Sequence, residues 1–206
     1  MSQLELFRVA TPLPEGFVYQ PDFISQEEEQ ALLTHLESLP YAEIRMHGVV
    51  AKRRAAHFGV DYEYNSAAIA PGVAIPDYLL PLREKIGVFA GRKAEEFAEV
   101  LVTEYPAGAG IGWHRDAPAF EIVVGVSLLA ECAMQFRPWP LDASNGVRRK
   151  PMAVVLERCS AYIIRGPSRT SWQHHIPTTR SRRISLTFRT VRPEVKSISR
   201  SRTSGA

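Results

Sequence analysis

From about residue 98 onward the chain breaks into short β-type runs separated by turn residues, and this pattern most limits the folds open to it. The runs are Val100–Tyr105, Gly112–His114, Ile122–Leu129, Ala133–Arg137, Ala153–Leu156, Ala161–Arg165, Ser171–His175 and Arg183–Thr190. Strands of that number and spacing predict an all-β barrel or sandwich in the carboxy-terminal half. Upstream the periodicity is helical. Ser25 and Glu28 are placed to form a capping box, and Leu32, Leu33, Leu36 and Leu39 keep helical spacing until Pro40. A second helix is expected from Asp77 to about Phe89, with Pro81 in its first turn. Between the helices Arg54–Val60 reads as a strand, preceded by the basic cluster Lys52-Arg53-Arg54.

A chain of 206 residues is long enough for one domain with a real core, and 45% hydrophobic with 23% charged residues excludes a disordered or collagen-like chain. No stretch approaches the roughly 20 apolar residues that cross a bilayer, and Met1-Ser2-Gln3-Leu4-Glu5 lacks a basic, then apolar leader, so a cytoplasmic protein is expected. Cys132 and Cys159 are too few for a disulfide framework and are read as two buried, reduced thiols. The formal charge of +3 conceals a split. Residues 1 to 145 carry 11 basic and 20 acidic side chains, a net of −9, whereas residues 146 to 206 carry 14 basic and 2 acidic, a net of +12. Positive charge gathered in one region suits a polyanionic partner such as nucleic acid, or else a solvated basic tail.

Two segments carry metal chemistry: Trp113-His114-Arg115-Asp116, and 60 residues later Trp172-Gln173-His174-His175. Two imidazoles and one carboxylate on one face of iron hold it while leaving positions open for a co-substrate and oxygen. His114 and Asp116, two apart on a strand, point to the same side and can chelate one ion, with His174 or His175 as the second imidazole. An isolated His-x-Asp occurs by chance in many chains, so the weight falls on a third segment. In Arg183–Arg189 the apolar Ile184, Leu186 and Phe188 alternate with Arg183, Ser185, Thr187 and Arg189. Inside a barrel the polar face buries two arginines, which demand an anion, and a dicarboxylate supplies it. On an exposed strand the same arginines would guard an edge.

Taken together, these segments resemble the AlkB-like Fe(II)/2-oxoglutarate-dependent dioxygenases, whose signature is His-x-Asp, a distal His, and Arg followed six residues later by Arg. The resemblance extends through Tyr105–Asp116, Val126–Leu129 and Gly166–Arg169, and covers about residues 15 to 192. It implies a mainly β fold with flanking helices (α+β): a double-stranded β-helix, or jelly roll, over residues 96–192. Residues 1–95 would be a helical extension and nucleotide-recognition lid packed on the same domain, and 193–206 a basic disordered tail. It also implies His114, Asp116 and His174 as Fe(II) ligands, His174 being preferred to His175 because an apolar-Pro sequence follows it. Arg183 would pair with the far carboxylate of 2-oxoglutarate, Arg189 would lie near its metal-bound end, and Tyr105 would donate a hydrogen bond. Arginine suits those places through charge-assisted, bidentate pairing.

The corresponding lid spans Met46–Arg54 with the aromatics Phe58, Tyr62 and Tyr64, and makes Lys52, Arg53 and Arg54 the expected nucleic-acid contacts. The implied activity is oxidative demethylation of N-methyl bases such as 1-methyladenine or 3-methylcytosine, as in DNA repair, releasing succinate, CO2 and formaldehyde. Single strands are favoured because a duplex base must first be flipped out, and a monomer is expected. Departures are Thr103 and Ser185, where some members have asparagine, and Pro118, where some have an acidic residue that touches the base. An oxygenase acting on a protein side chain or metabolite, and a non-catalytic nucleic-acid-binding barrel, are the alternatives.

Overall fold

The computed structural model describes residues 13–46, 49–63, 68–140 and 150–195. Its strands are β1 (Phe17–Gln20), β2 (Ala42–Met46), β3 (Val49–Glu63), β4 (Ala68–Pro71), β5 (Phe97–Tyr105), β6 (Ile111–His114), β7 (Phe120–Leu128), β8 (Cys132–Pro138), β9 (Met152–Leu156), β10 (Ala161–Ile164), β11 (Trp172–Ile176) and β12 (Arg183–Val191). Helices α1 (Gln26–Leu36) and α2 (Leu80–Ala90) precede β5, and the single turn α3 (Pro167–Thr170) precedes β11. All eight strands expected in the carboxy-terminal half are present, with ends shifted by up to three residues.

The strands form two antiparallel sheets. The larger runs β1-β10-β7-β12-β5-β3-β2, with β4 paired to β3, and the smaller runs β6-β11-β8-β9. The jumps in sequence between neighbours are those of a double-stranded β-helix. Alternation along β12 explains how it is held. Ile184, Leu186 and Phe188 point to one face and are fully buried with Leu36, Leu79 and Ile86, so the helices cover the outside of the large sheet. The other face looks toward the small sheet across Val123, Met134, Phe136, Leu156, Tyr162 and Ile176. Gly125 is required there, because a Cβ would overlap the ring of Tyr162 on the neighbouring strand.

The capping box forms as expected: Glu28 N donates to Ser25 Oγ at 3.1 Å and Ser25 N to Glu28 Oε2 at 2.8 Å. The helix stops at Leu36, short of Pro40, and Leu39 packs against the core from beyond its end. The second helix opens with a 3-10 turn, Asp77–Leu79, which accommodates Pro81 in the first turn of α2. The strand expected at Arg54–Val60 begins five residues earlier, so Lys52, Arg53 and Arg54 lie inside β3 rather than before it. Cys132 and Cys159 are buried and unpaired with each other. No helix among the described residues is long and apolar enough to cross a membrane. The tail from Lys196 onward, with Tyr64, His47 and Gly48 of the expected lid, lies outside the described residues.

Candidate active site

His114 is the last residue of β6 and stands directly opposite His174 of β11 in the small sheet's ladder. Their rings lie 4.2 Å apart between centroids, and His174 Nε2 is 3.7 Å from Asp116 Oδ2. The expectation that His114 and Asp116 share a strand is corrected: β6 ends at His114, and Asp116 sits in the following loop. It reaches the same place because Arg169, buried in α3, donates from Nη2 to the backbone carbonyls of Asp116 (3.0 Å), Ala117 and Phe120 (3.2 Å). Sequence reasoning matched Arg169 as part of a motif but gave it no task. Its signal was an arginine three residues before a paired-histidine strand.

His174 and His175 point to opposite sides of β11. His174 is buried beside Asp116, whereas His175 turns outward, with Nδ1 3.3 Å from Gln135 Oε1 and its ring 5.0 Å from Trp113. His114 Nδ1 lies 2.9 Å from the Gly112 carbonyl oxygen, which can only accept, so that nitrogen carries the proton and Nε2 keeps a lone pair. Burial, then the neighbouring His114, pushes His174 down to about 3, and burial lowers His114 as well. Both rings are therefore neutral near pH 7, the form that binds a metal. Burial alone would raise the Asp116 carboxyl, but Arg189, then His174 and His114, outweigh it and hold the group ionised well below the usual carboxylate range.

On the facing side, the inward residues of β12 and β5 pair in register: Arg183 with Tyr105, Ser185 with Thr103, and Arg189 with Glu99. Arg183 has no exposed surface; Nε donates to Ser127 Oγ at 3.1 Å, and the guanidinium lies 5.3 Å from the centre of the Tyr105 ring. Its Nη1 and Nη2 are buried without a partner. Arg189 donates from Nη1 to Glu99 (2.8 and 3.1 Å) and from Nη2 to Asp116 Oδ1 (2.9 Å). Burial works against its charge, but Glu99, then Asp116, raise its affinity for the proton above that of an ordinary arginine. Burial pushes the Tyr105 and Tyr162 hydroxyls up, so both stay protonated donors.

Of the six buried side-chain polar atoms left unpartnered among the described residues, five belong to this site: Asp116 Oδ2, Arg169 Nε, Arg183 Nη1 and Nη2, and Arg189 Nε. Leaving such groups unmade costs about 1–3 kcal/mol each. The donor set suits two kinds of ligand: a carboxylate oxygen and two neutral imidazoles fit a divalent cation, and a two-nitrogen guanidinium edge fits a carboxylate.

The basic cluster divides. Arg54 is committed to Glu104, with Nε at 2.9 Å and Nη2 at 2.5 Å from Oε2, and stacks near Tyr41. Arg53 is on the opposite face of β3 and donates to the Gly110 carbonyl at 3.3 Å; its charge reaches His114 and Tyr105. Lys52 is exposed. Phe58 is a core residue rather than a stacking platform, and Tyr62 is half-buried, 6.1 Å from Phe120. Two arginine–tryptophan stacks were not anticipated: Arg115 over Trp139 at 5.1 Å, and Arg137 over Trp113 at 4.5 Å.

A double-stranded β-helix enclosing two histidines, a carboxylate and two buried arginines defines a class, the iron-dependent oxygenases that consume a 2-oxo acid. The family model of the 2OG-Fe(II) oxygenase superfamily matches residues 16–189, and the chain belongs to that superfamily as an AlkB-like dioxygenase. It is 27% identical over 208 residues to "Alkylated DNA repair protein ALKBH8 homolog" of Arabidopsis thaliana, covering 86% of this chain and 58% of that protein. It is 30% identical over 172 residues to "tRNA (carboxymethyluridine(34)-5-O)-methyltransferase alkbh8" of Xenopus tropicalis, covering 80% of this chain and 25% of that protein. The chain thus spans little more than half of the first and a quarter of the second. "Probable RNA/DNA demethylase ALKBH6" of Danio rerio is 29% identical over 211 residues, with 86% of both chains covered. Among solved structures, OsALKBH1 superposes with a TM-score of 0.65 over 87% of this chain and 98% of that one at 17% identity, which supports the fold.

Proposed function

We propose that this protein is an oxidative demethylase of alkylated nucleic acid, acting on N-methyl bases in unpaired DNA or RNA. The observation that carries the reading is that His114, Asp116 and His174 lie together while Arg183, whose charge acts with that of Asp116 on the buried Tyr162, keeps an unpaired edge. In this reading His114 Nε2, Asp116 Oδ2 and His174 hold Fe(II). Iron bound there would supply the chemistry in which O2 gives one oxygen atom to 2-oxoglutarate, released as succinate and CO2, and the other to the N-methyl group, released as formaldehyde. Arg183 receives the far carboxylate of 2-oxoglutarate, and Tyr105 orients it by hydrogen bonding. The two sheets and Tyr162 exclude water from that end.

Nucleic acid as substrate is supported by the +12 charge of residues 146–206, by Arg53 facing the site, and by the names of the relatives above. The lid is the β2–β3 hairpin. β3 pairs with β5 only from Arg54 to Gly59, so Val49–Arg53 overhang the end of the large sheet beside the Gly108–Gly110 turn. Lys52 and Arg53 are then the lid's phosphate contacts, while Arg54 serves the fold.

The test is mass spectrometry of single-stranded DNA and RNA oligonucleotides bearing 1-methyladenine or 3-methylcytosine, incubated with protein, Fe(II), ascorbate and 2-oxoglutarate. A net loss of CH2 from the base, absent with Asp116→Ala, is the expected result. Unchanged oligonucleotides with continuing succinate release would turn the substrate toward a modified tRNA uridine, a protein side chain or a metabolite.

A further inference from the structure

Glu99 belongs to none of the motifs above, yet it is a carboxylate with 2% exposure inside a barrel. It stands directly across from Arg189 in the β5–β12 ladder, and both of its oxygens accept from Arg189 Nη1. The opposite nitrogen of the same guanidinium, Nη2, donates to Asp116 Oδ1, which leaves Oδ2 buried and unpartnered beside His174. The Arg189 guanidinium also lies 5.2 Å from the centre of the Phe120 ring, at the far end of the loop that carries Asp116. On the outer side His57 Nδ1 is 3.5 Å from Glu99 Oε1, and the His57 side chain is half exposed. The order from the surface inward is His57, Glu99, Arg189, Asp116.

Resting on the reading of His114, Asp116 and His174 as the metal ligands, we propose that Glu99 is a positioning residue for the ligand carboxylate: by clamping Arg189 it fixes Asp116 Oδ1 and presents Oδ2 to the cation. Two effects follow from its charge. A clamped Arg189 cannot swing toward Asp116 to take both oxygens in the bidentate geometry that guanidinium and carboxylate favour. The Arg189 charge next to a divalent site is also compensated, so the cation is not repelled. Partners of metal ligands commonly change metal affinity by about 10–100-fold when lost. Arg189 therefore acts through Asp116, and the anion-binding edge of the cavity belongs to Arg183.

The test is Glu99→Gln, which keeps the shape and removes the charge. Mn(II) binding to metal-free protein is followed by electron paramagnetic resonance, and 2-oxoglutarate binding is then measured at saturating Mn(II). The Mn(II) dissociation constant is expected to rise about 10-fold or more, while that for 2-oxoglutarate stays unchanged or falls, because the freed Arg189 charge attracts a dianion. Glu99→Asp keeps the charge and should restore part of the Mn(II) affinity; if Glu99→Gln does not fold, Glu99→Asp still weakens Mn(II) several-fold through the lengthened contact. Mn(II) affinity unchanged in the folded variant, or lost in parallel with 2-oxoglutarate affinity, overturns the proposal. Asp116→Ala measured alongside separates the two levels: if it also keeps its Mn(II) affinity, the ligand reading itself has failed; if it loses Mn(II) while Glu99→Gln does not, only the role of Glu99 has.

Discussion

The two faces of the large sheet solve opposite problems with the same strands. Outward, Ile184, Leu186 and Phe188 meet α1 and α2 in an apolar layer held by contact, with the Tyr78 hydroxyl its one unpartnered buried polar atom among the described residues. Inward, one residue along, Arg183 meets Ser127 and the Tyr105 ring, and Arg189 meets Glu99 and Asp116, through polar contacts that leave four buried atoms of these groups unpartnered. The outer face is built almost wholly of apolar contacts; the inner face carries donors and an acceptor suited to a cation and an anion. Stability is concentrated on one side of a single sheet and binding on the other, so substitutions a residue apart should separate the two.

The largest separation is expected at Asp116. Asp116→Ala should bring succinate release to background, since two imidazoles alone hold Fe(II) poorly and leave its charge uncompensated. The unfolding midpoint should change far less than turnover. Full activity in this variant would remove the metal site from the polar face. Next is Phe188→Ala, which should cost about 3–5 kcal/mol in urea unfolding yet leave 2-oxoglutarate affinity intact where the protein remains folded. Arg183→Met should show the reverse. Its 2-oxoglutarate dissociation constant should rise by an amount corresponding to about 2–5 kcal/mol, while stability without ligand stays level or improves because a buried, half-satisfied charge is gone. A stability loss as large as that of Phe188→Ala would erase the distinction between the faces.

The smallest effect belongs at the rim, where Glu104 accepts from Arg54 and Arg182. Burial raises the carboxyl, but hydrogen bonds from Arg54 and then Arg182 outweigh it, and its proton affinity lies below the ordinary value. A depressed carboxylate stabilises the fold above its unfolded pKa, near 4.3 for glutamate. That contribution disappears as pH falls through the folded value. Because Arg54 is half exposed, the effect is about 1 kcal/mol. Urea unfolding of Glu104→Gln between pH 6 and 2 should show a correspondingly shallower acid loss, and an unchanged slope would show that Glu104 contributes nothing.

Much of this was legible in the chain. Alternation in Arg183–Arg189 named both faces of β12, the capping box named the start of α1, and the His-x-Asp and distal His segments named residues that the fold brings together. Expectations failed where an element's end mattered. Ending the strand at His114 moved Asp116 into a loop, and beginning β5 at Phe97 rather than Val100 brought Glu99 into the ladder opposite Arg189. The Lys52-Arg53-Arg54 cluster looked uniform as sequence but was split by strand alternation, one residue facing the site and another tied to Glu104.

By itself the sequence determined what depends on neighbours along the chain: strand and helix periods, caps, and the residue types that metal and dicarboxylate chemistry need. Tertiary structure alone decided which distant groups share one dry space. Arg169 became the support of the Asp116 loop, His175 found Gln135 while His174 came to lie beside Asp116, and Arg183 met Ser127 yet kept an unpaired edge, because these outcomes depend on contacts between residues 40 to 56 positions apart and more. Ion pairing and burial act through space at a few ångströms, and no local pattern records which partner will be there.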